Sequence, residues 1–584
     1  MKKEIFIITF SLCLNGALFA NSNIDGSIYD VEIPHAEQWY EEHPGELPIW
    51  LNEEEKLRLD EIGKDFRPTL EPPAPVRQPA EFDPMQGVLI RYPLGISTAI
   101  IAEMAEDVMV YCVVSLSSQT AAYNTLNNGG VNMSNVEFLI ADTDTYWIRD
   151  YGPWFIFNGN NEPGITDFTY NRPRPDDNAI PSFCATYFGI NLYSMGLTAT
   201  GGNYMTDGNG ISVSTELIWD ENSGLTHDEI DTLVEDYLGI ETYHVVPDVN
   251  GDYIKHVDCW GKYLSSTQIL IREVPPSHSQ YTLIEQAVDY FESQPSCYGT
   301  NYEVPRVYTP NNQPYTNSLI LNNKVLIPIT GSSYDAQAIA SYEAAMPGYE
   351  VLGFTGSWYS TDALHCRTMG ATDQGMLYIY HVPIADTVNT SDDIGITANI
   401  YPYSGQSLIT DSLLVFWKRS TDIHFNELNL NHIFGNIYSA SIPAQPNGTI
   451  INYYIHAADN SGRSENNPYI GAPMAYSFYV MNSVSVDEPQ QNAITEATNY
   501  PNPFSGNTTI AFTLKNNNSS KIEIGIYNIK GQLVNILTTQ ANNNLISVNW
   551  DSFDQAGNDV PAGVYFYRII LDGKIFTQKM LKVK

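Results

Sequence analysis

Thirteen residues from Asp142 to Trp154, Asp-Thr-Asp-Thr-Tyr-Trp-Ile-Arg-Asp-Tyr-Gly-Pro-Trp, hold three carboxylates, one arginine and two tryptophans. A solvated loop has no use for two indoles, and a dry core does not tolerate three acids. The stretch therefore reads as the wall of a pocket for a planar cation, with acids to take the charge and indole faces to cover an apolar stem. A guanidinium has that form. A surface turn pinned by buried tryptophans would look the same, so other segments must decide.

The rest of the chain is organised in blocks. Met1-Lys-Lys-Glu, the apolar run after it and the small residues near Ala20 read as a secretory signal peptide, residues 1–20. No later run reaches the roughly 18 apolar residues of a membrane span. Residues 21–74 form an acidic, Pro-rich leader with one short helical pattern near Glu53 to Ile62 and little core of its own. From 75 to 384 apolar runs alternate with helical patterns, as α/β domains do. Strands are predicted at Gly87–Tyr92, Val108–Val114, Val136–Ile140, Gln268–Ile271, Lys324–Ile327 and Met376–Tyr380. Thr226-His-Asp-Glu229 has capping-box spacing and opens an amphipathic helix; two more helices are predicted at Tyr281–Phe291 and Asp335–Met346. The strand spacing is too irregular for a doubly wound sheet, and no exact repeat is visible.

After Pro383 helical patterns vanish. Residues 385–481 alternate as in an immunoglobulin-like β-sandwich, 482–496 read as a polar linker, and 497–584 as a second, smaller β-sandwich. The Tyr500-Pro-Asn-Pro-Phe504 opening, Gly563-Val-Tyr-Phe-Tyr567 and the basic end of this last block resemble the C-terminal sorting domain of type IX secretion cargo. That resemblance implies export across an outer membrane and a secreted or cell-surface protein that meets the type IX secretion machinery. The formal charge of −39, from 67 acids and 28 bases, argues against nucleic acid or an anionic membrane as a partner.

Five cysteines follow the predicted signal peptide, so at least one is unpaired within an exported chain. Cys366 lies between His365 and Arg367, whose charge is expected to lower a thiol's pKa toward the nucleophilic thiolate, although a buried inert cysteine is as common. His256 is the best-placed proton carrier, because Asp258 two residues on would face the same pocket from an extended segment, with Tyr253 nearby. No spaced His or Cys cluster suggests a metal site, and no cofactor is expected. Gly201-Gly-Asn203 is either a turn beside the pocket or a hairpin. Arg172-Pro-Arg174 offers two guanidinium groups on one side, a fork for a carboxylate, or else surface charges answering Asp176 and Asp177.

Taken in order, Trp147-Ile-Arg-Asp150, Gly201-Gly-Asn, His256-Val-Asp258, Tyr315-Thr-Asn317 and Leu364-His-Cys366-Arg resemble the agmatine deiminase superfamily, most closely its Porphyromonas-type peptidylarginine deiminases. The resemblance implies the pentein fold, a five-bladed α/β propeller. It also implies roles: Asp150 and Asp258 clamp a guanidinium, Cys366 attacks its central carbon, and His256 moves the protons. Asn317 positions the thiol, Trp147 walls the arginine stem, and Arg172 and Arg174 hold the carboxylate of a C-terminal arginine, with Tyr253 close to the substrate. Arginine-containing peptides are then the expected partners. The alternatives are an agmatine or free-arginine deiminase on the same scaffold, and an inactive secreted binding or adhesion protein. The Glu-rich leader could cover the pocket and imitate the substrate carboxylate at Arg172 and Arg174.

Overall fold

A computed structural model describes residues 26–33, 35–481, 494–514, 521–528, 533–540, 545–571 and 574–583. The predicted signal peptide and most of the predicted linker lie outside these residues. The chain divides into two units, Met1–Asn482 and Ser483–Lys584.

In the first unit α1 (Ala36–Glu42) belongs to the leader. The elements that follow are β1 (Met85–Arg91), α2 (Thr98–Asp107), β2 (Met109–Val114), α3 (Gln119–Asn128), β3 (Val136–Ile140), β4 (Trp154–Phe157), β5 (Pro163–Tyr170), α4 (Pro175–Asn178), α5 (Ile180–Phe188) and β6 (Asn191–Ala199). Then come β7 (Met205–Thr206), β8 (Ile211–Thr215), α6 (Leu217–Glu221), α7 (His227–Leu238), β9 (Thr242–Val246), β10 (Gly261–Ser265), β11 (Gln268–Glu273), α8 (Tyr281–Ser293) and β12 (Arg306–Tyr308). The last are β13 (Leu319–Leu321), β14 (Lys324–Ile329), α9 (Asp335–Ala345), β15 (Glu350–Thr355) and β16 (Met369–Thr372).

These strands form five small sheets of one build. In each, a strand pairs antiparallel with the next, which pairs in parallel with a third across a helical crossover: β4-β5-β6, β7-β8-β9, β10-β11-β12 and β13-β14-β15. The fifth sheet, β16-β1-β2-β3, takes its antiparallel strand from the far end, with Val88 opposite Gly370. Parallel pairing requires such crossovers, and it buries strands on both faces. Accordingly Val110 to Val114 of β2 are all buried. The helices follow their sequence signals: Thr226 and Glu229 form the predicted capping box, and α7 stops at Gly239, whose φ of 72° suits glycine. The repeat is one of topology alone, which is why no exact sequence repeat exists.

The site segments share one structural position. Asp142–Trp154 connects β3 to β4, Gly201–Asn203 connects β6 to β7, Tyr253–Asp258 lies between β9 and β10, Asn317 between β12 and β13, and Cys366 between β15 and β16. Each sheet hands its chain to the next through a loop that holds one of the predicted site segments, the usual division between scaffold and site.

Two further sheets of the first unit, from Leu377 to Met481, share a core that includes Ile396, Val415, Ile451, Tyr453 and Phe478. The strand predicted at Met376–Tyr380 belongs here and not to the α/β part. Leu377–Tyr380 pairs antiparallel with Ile394–Pro402, because its residues are buried on one face only and cannot serve a sheet covered on both sides. The second unit is two antiparallel sheets around Ile510, Phe512, Ile524, Trp550 and Tyr567. Among the described residues no helix is long and apolar enough to cross a membrane.

The leader departs most from expectation. It contributes Trp39, Ile49 and Trp50 to a cluster with Tyr146, Trp147, Ile254, Cys259 and Cys366. Its aromatic residues, unremarked among the acids and prolines, find their core in another part of the chain.

Candidate active site

The inter-sheet connections bring their polar side chains into one buried cluster. A short turn, His365–Arg367, presents Cys366. Asn317 Nδ2 donates to Cys366 Sγ at 3.3 Å, and its Oδ1 accepts from the backbone N–H of His365 (3.0 Å) and of Cys366 (3.3 Å). One amide thus holds both the thiol and its backbone. Asp258 Oδ2 lies 3.7 Å from Cys366 Sγ. His256 is extended, but Asp258 sits on the turn Val257–Cys259 that follows, so both face the cluster by a bend and not by the predicted extended alternation. His256 Nδ1 is 3.7 Å from Asp150 Oδ1. Gly202 closes this side: its N–H donates to Asp150 Oδ1 at 3.2 Å, and a Cβ there would stand 2.5 Å from His256 Nδ1. The Gly201–Asn203 segment is therefore the turn beside the pocket.

Cys366, His256 and Asp258 are fully buried, and Asp150 is 1% exposed. Both ring nitrogens of His256 are enclosed yet make no hydrogen bond to the described residues. Buried polar atoms are normally paired, so this marks where a polar ligand belongs. Burial and the charge of Asp258 push the Asp150 carboxyl up to about 8. Burial pushes the His256 imidazole down to about 4. For Asp258 burial acts upward too, but His365 and His256 outweigh it and hold the carboxyl below its ordinary value. At neutral pH the closed site thus keeps one carboxylate, one neutral imidazole and one protonated carboxyl.

The Cys366 thiol is not activated by its neighbours in sequence, contrary to the sequence expectation. Burial, then the charges of Asp258, Asp150 and Asp362, push it well above 9.0. The turn fans the flanking bases away. Arg367 pairs with Asp362 (2.5 Å) and donates to Gly95 O and Ser357 O, and the His365 ring lies between Asp258 Oδ2 (2.7 Å) and Glu81 Oε2 (2.6 Å). An entering cation would reverse the electrostatics of thiol and Asp150 alike.

Glu81, Lys262 and Arg149 form a supporting layer. Glu81 accepts from Lys262 Nζ at 2.6 Å and Arg149 Nη2 at 2.8 Å besides meeting His365. Burial alone would raise the Glu81 carboxyl, yet Lys262, His365 and Arg149 hold it well below the usual range. Glu81 and Lys262 are not among the residues predicted from the sequence. The available signal was a lysine inside the apolar strand β10, which burial forbids without an acid partner.

Trp147 is fully buried in the cluster with Cys366. Arg172 and Arg174 are 4% and 1% exposed, not surface charges answering Asp176 and Asp177. Both point at the leader: Arg172 donates to Ile49 O (3.3 and 3.2 Å), and Arg174 forms two hydrogen bonds to the Glu55 carboxylate (2.7 and 3.2 Å). Tyr253 meets Thr361 Oγ1 at 2.5 Å and the leader's His35 Nε2 at 3.2 Å. All nine predicted site residues thus gather around one buried centre and its leader-filled approach. Among the described residues no group of three or more His, Cys, Asp or Glu side chains could hold a metal ion, and all five cysteines there are unpaired.

A model of the Porphyromonas-type peptidyl-arginine deiminase family matches residues 77–371, and one of the secretion system C-terminal sorting domain matches 498–583. An agmatine deiminase of Pseudomonas putida is 22% identical over 345 residues, covering 50% of this chain and 94% of that protein. One of Ectopseudomonas mendocina is 24% identical over 262 residues, covering 37% and 71%. The solved agmatine deiminase of Enterococcus faecalis superposes with a TM-score of 0.46 at 18% identity, covering 51% of this chain and 96% of that one. The first match takes in half of the chain and every connection that carries the buried cluster, and the second marks the protein for export to the cell surface or beyond. The chain therefore belongs to the Porphyromonas-type peptidyl-arginine deiminase family, as a hydrolase of guanidino C–N bonds that carries its own secretion sorting domain.

Proposed function

We propose that the protein converts the arginine at the C-terminus of a peptide to citrulline and ammonia, through a covalent intermediate on Cys366. The observation that carries this reading is the buried pair Arg172 and Arg174, already engaged with backbone carbonyls and a carboxylate beside the Cys366 cluster. Agmatine has no carboxylate to offer them. A peptide ending in arginine has both the carboxylate and the carbonyls.

In the proposed reaction the substrate guanidinium lies between Asp258 and Asp150, which gives up its proton to solvent as the cation enters and so forms the second half of the clamp. The cation also favours the thiolate. Cys366 passes its proton to His256, which is neutral beforehand, and the sulfur bonds to the central guanidinium carbon. The C–N bond to one terminal nitrogen then breaks, and His256 returns the proton so that ammonia leaves. A water gives one proton to His256 as its oxygen bonds to the carbon of the thiouronium. The C–S bond then breaks, the oxygen's remaining proton passes to the departing sulfur, and His256 releases its proton to solvent, leaving neutral citrulline and the starting thiol. Asn317 keeps the sulfur in place, and Trp147 covers the stem.

The finer architecture belongs to the same reading: the five like-built sheets are taken as the blades of a pentein propeller, and the Leu377–Met481 sheets as an immunoglobulin-like sandwich.

The rival is an agmatine or free-arginine deiminase, the first of which is the activity named for both relatives given above. Citrulline-type product from agmatine, free arginine and a peptide ending in arginine separates the three. Arg172→Ala should cut kcat/KM for the peptide by about 30-fold or more, since a buried charge pair loses a partner, and leave agmatine turnover nearly unchanged. Preference for agmatine by the unaltered enzyme would refute the peptidyl assignment.

A further inference from the structure

Cys366, His256 and Asp258 are fully buried in this structure, and on the side of Trp147, Arg172 and Arg174 the cluster is covered by the leader. Tyr29 lies beside the Arg172 guanidinium at 5.4 Å and hydrogen-bonds Glu221 at 2.6 Å. His35 stacks on Tyr359 at 4.6 Å, and Trp50 meets Tyr253 edge-on at 5.5 Å. Pro48, Ile49 and Trp50 present three successive carbonyls to the two arginines, and Glu55, itself 3% exposed, supplies a carboxylate to Arg174. Carbonyls followed by a carboxylate are what the end of a peptide would present to the same groups.

The leader presents this outline without a reactive group. From Glu46 to Glu55 it contains no lysine or arginine. The nearest bases are turned aside: Lys56 pairs with Glu53 and Asp30, and Arg58 with Glu61. Nothing from Glu46 to Glu55 can be deiminated by Cys366, so this stretch can sit there without being consumed.

We propose that residues 29–33 and 35–55 keep the enzyme latent by filling the cleft that receives peptide substrate, an aromatic-walled subsite closed by Arg172 and Arg174, and that a cut in the exposed segment after Ile62 releases them. This rests on the assignment of those two arginines to the substrate. The segment is suited to cutting. Lys64, Asp65 and residues 67–71 are exposed, and beyond them Thr69 is held to the body by Ser194 (3.0 Å) and Tyr237 (2.5 Å). A trypsin-like protease cutting after Lys64 would detach the covering part and leave the anchored part in place; the bond after Arg67 is shielded by Pro68.

The full-length chain, uncut and after a tryptic cut at Lys64 with removal of the released peptide, provides the test. Alkylation of Cys366 by iodoacetamide, located by peptide mass spectrometry, reads access without requiring turnover. The expected result is labelling at least about tenfold faster after the cut, suppressed again when a synthetic peptide of residues 29–62 is added. Trp50→Ala and Glu55→Gln in the uncut chain should each raise labelling severalfold, which keeps the test independent of where else trypsin cuts. Equal labelling in cut, uncut and substituted chains would overturn the proposal. The two readings fail separately. If the cut exposes Cys366 but no arginine, agmatine or peptide is turned over, latency stands and the deimination assignment falls; if cut and uncut chains deiminate a C-terminal arginine equally, the reverse holds.

Discussion

Single residues set the pH response. Asp150 is held protonated in the fold to about pH 8 by burial and by Asp258, whereas its unfolded value is near 3.8. A group raised in the folded state contributes fully below its unfolded pKa, and that contribution is lost as pH rises through the folded value. Asp150→Asn should therefore stabilise the protein relative to wild type, with a gap that opens between about pH 4 and pH 8 and is worth at least ~1.4 kcal/mol at its widest. Thermal melts at pH 4, 6 and 8 check this; a constant gap would show that Asp150 is ionised in the closed site. The same variant should lose essentially all turnover. Glu81→Gln tests the supporting layer: kcat should fall about tenfold or more while the peptide KM stays nearly constant, since Glu81 meets the cluster through His365 and Arg149 and not through the proposed substrate groups. A change confined to KM would contradict that role. Among these residues, the acid-and-indole stretch, the His256–Asp258 spacing and the Arg172–Arg174 pair were legible in the sequence. The upward push on the Cys366 thiol was not. It depends on the direction in which a turn throws His365 and Arg367, and composition carries no information on that.

At the scale of elements, legibility followed local signals and not burial. Strands with flanking turns, such as β2 and β3, and helices with strong caps, such as α7, stood out because one local rule determined each. Strands β4 to β9 escaped notice. They are short, or rich in Thr, Ser and Tyr, and their burial comes from neighbours distant in sequence. The Gly201–Asn203 turn is the element with the sharpest functional consequence. Gly202→Ala places a methyl 2.5 Å from His256 Nδ1 and 2.7 Å from Asp150 Oδ1, so both must move. We expect kcat to drop about 100-fold or more with little loss of stability, because misplacing reacting groups by an ångström has that scale of effect. Steady-state kinetics beside a thermal melt decide the matter; a folded, fully active variant would remove the turn from the site. Thr226→Ala, by contrast, should cost about 1 kcal/mol through the lost cap and leave kcat untouched.

For the whole molecule, the two units predict separable duties. A chain ending at Met481 should keep the deiminase activity of the full-length protein after removal of the leader, and should fail to reach the cell surface, since the sorting domain lies wholly in the second unit. Fractionation of cells expressing each form, with citrulline assays on the fractions, distinguishes the two duties. Loss of activity in the truncated form would tie the units together. The change of texture near Pro383 and the sorting motifs made this division readable in advance. The leader's place was harder to see, because its hydrophobic residues are few and acquire meaning only against a cleft that the rest of the chain builds. The topology also fixes when catalytic power can arise. Asp150, His256, Asn317 and Cys366 hang from four different junctions, and β16, the strand directly after Cys366, pairs with β1 at the opposite end of the α/β part. A growing or partly folded chain therefore lacks the assembled cluster, and deiminase activity can serve as a report that β16 has paired with β1.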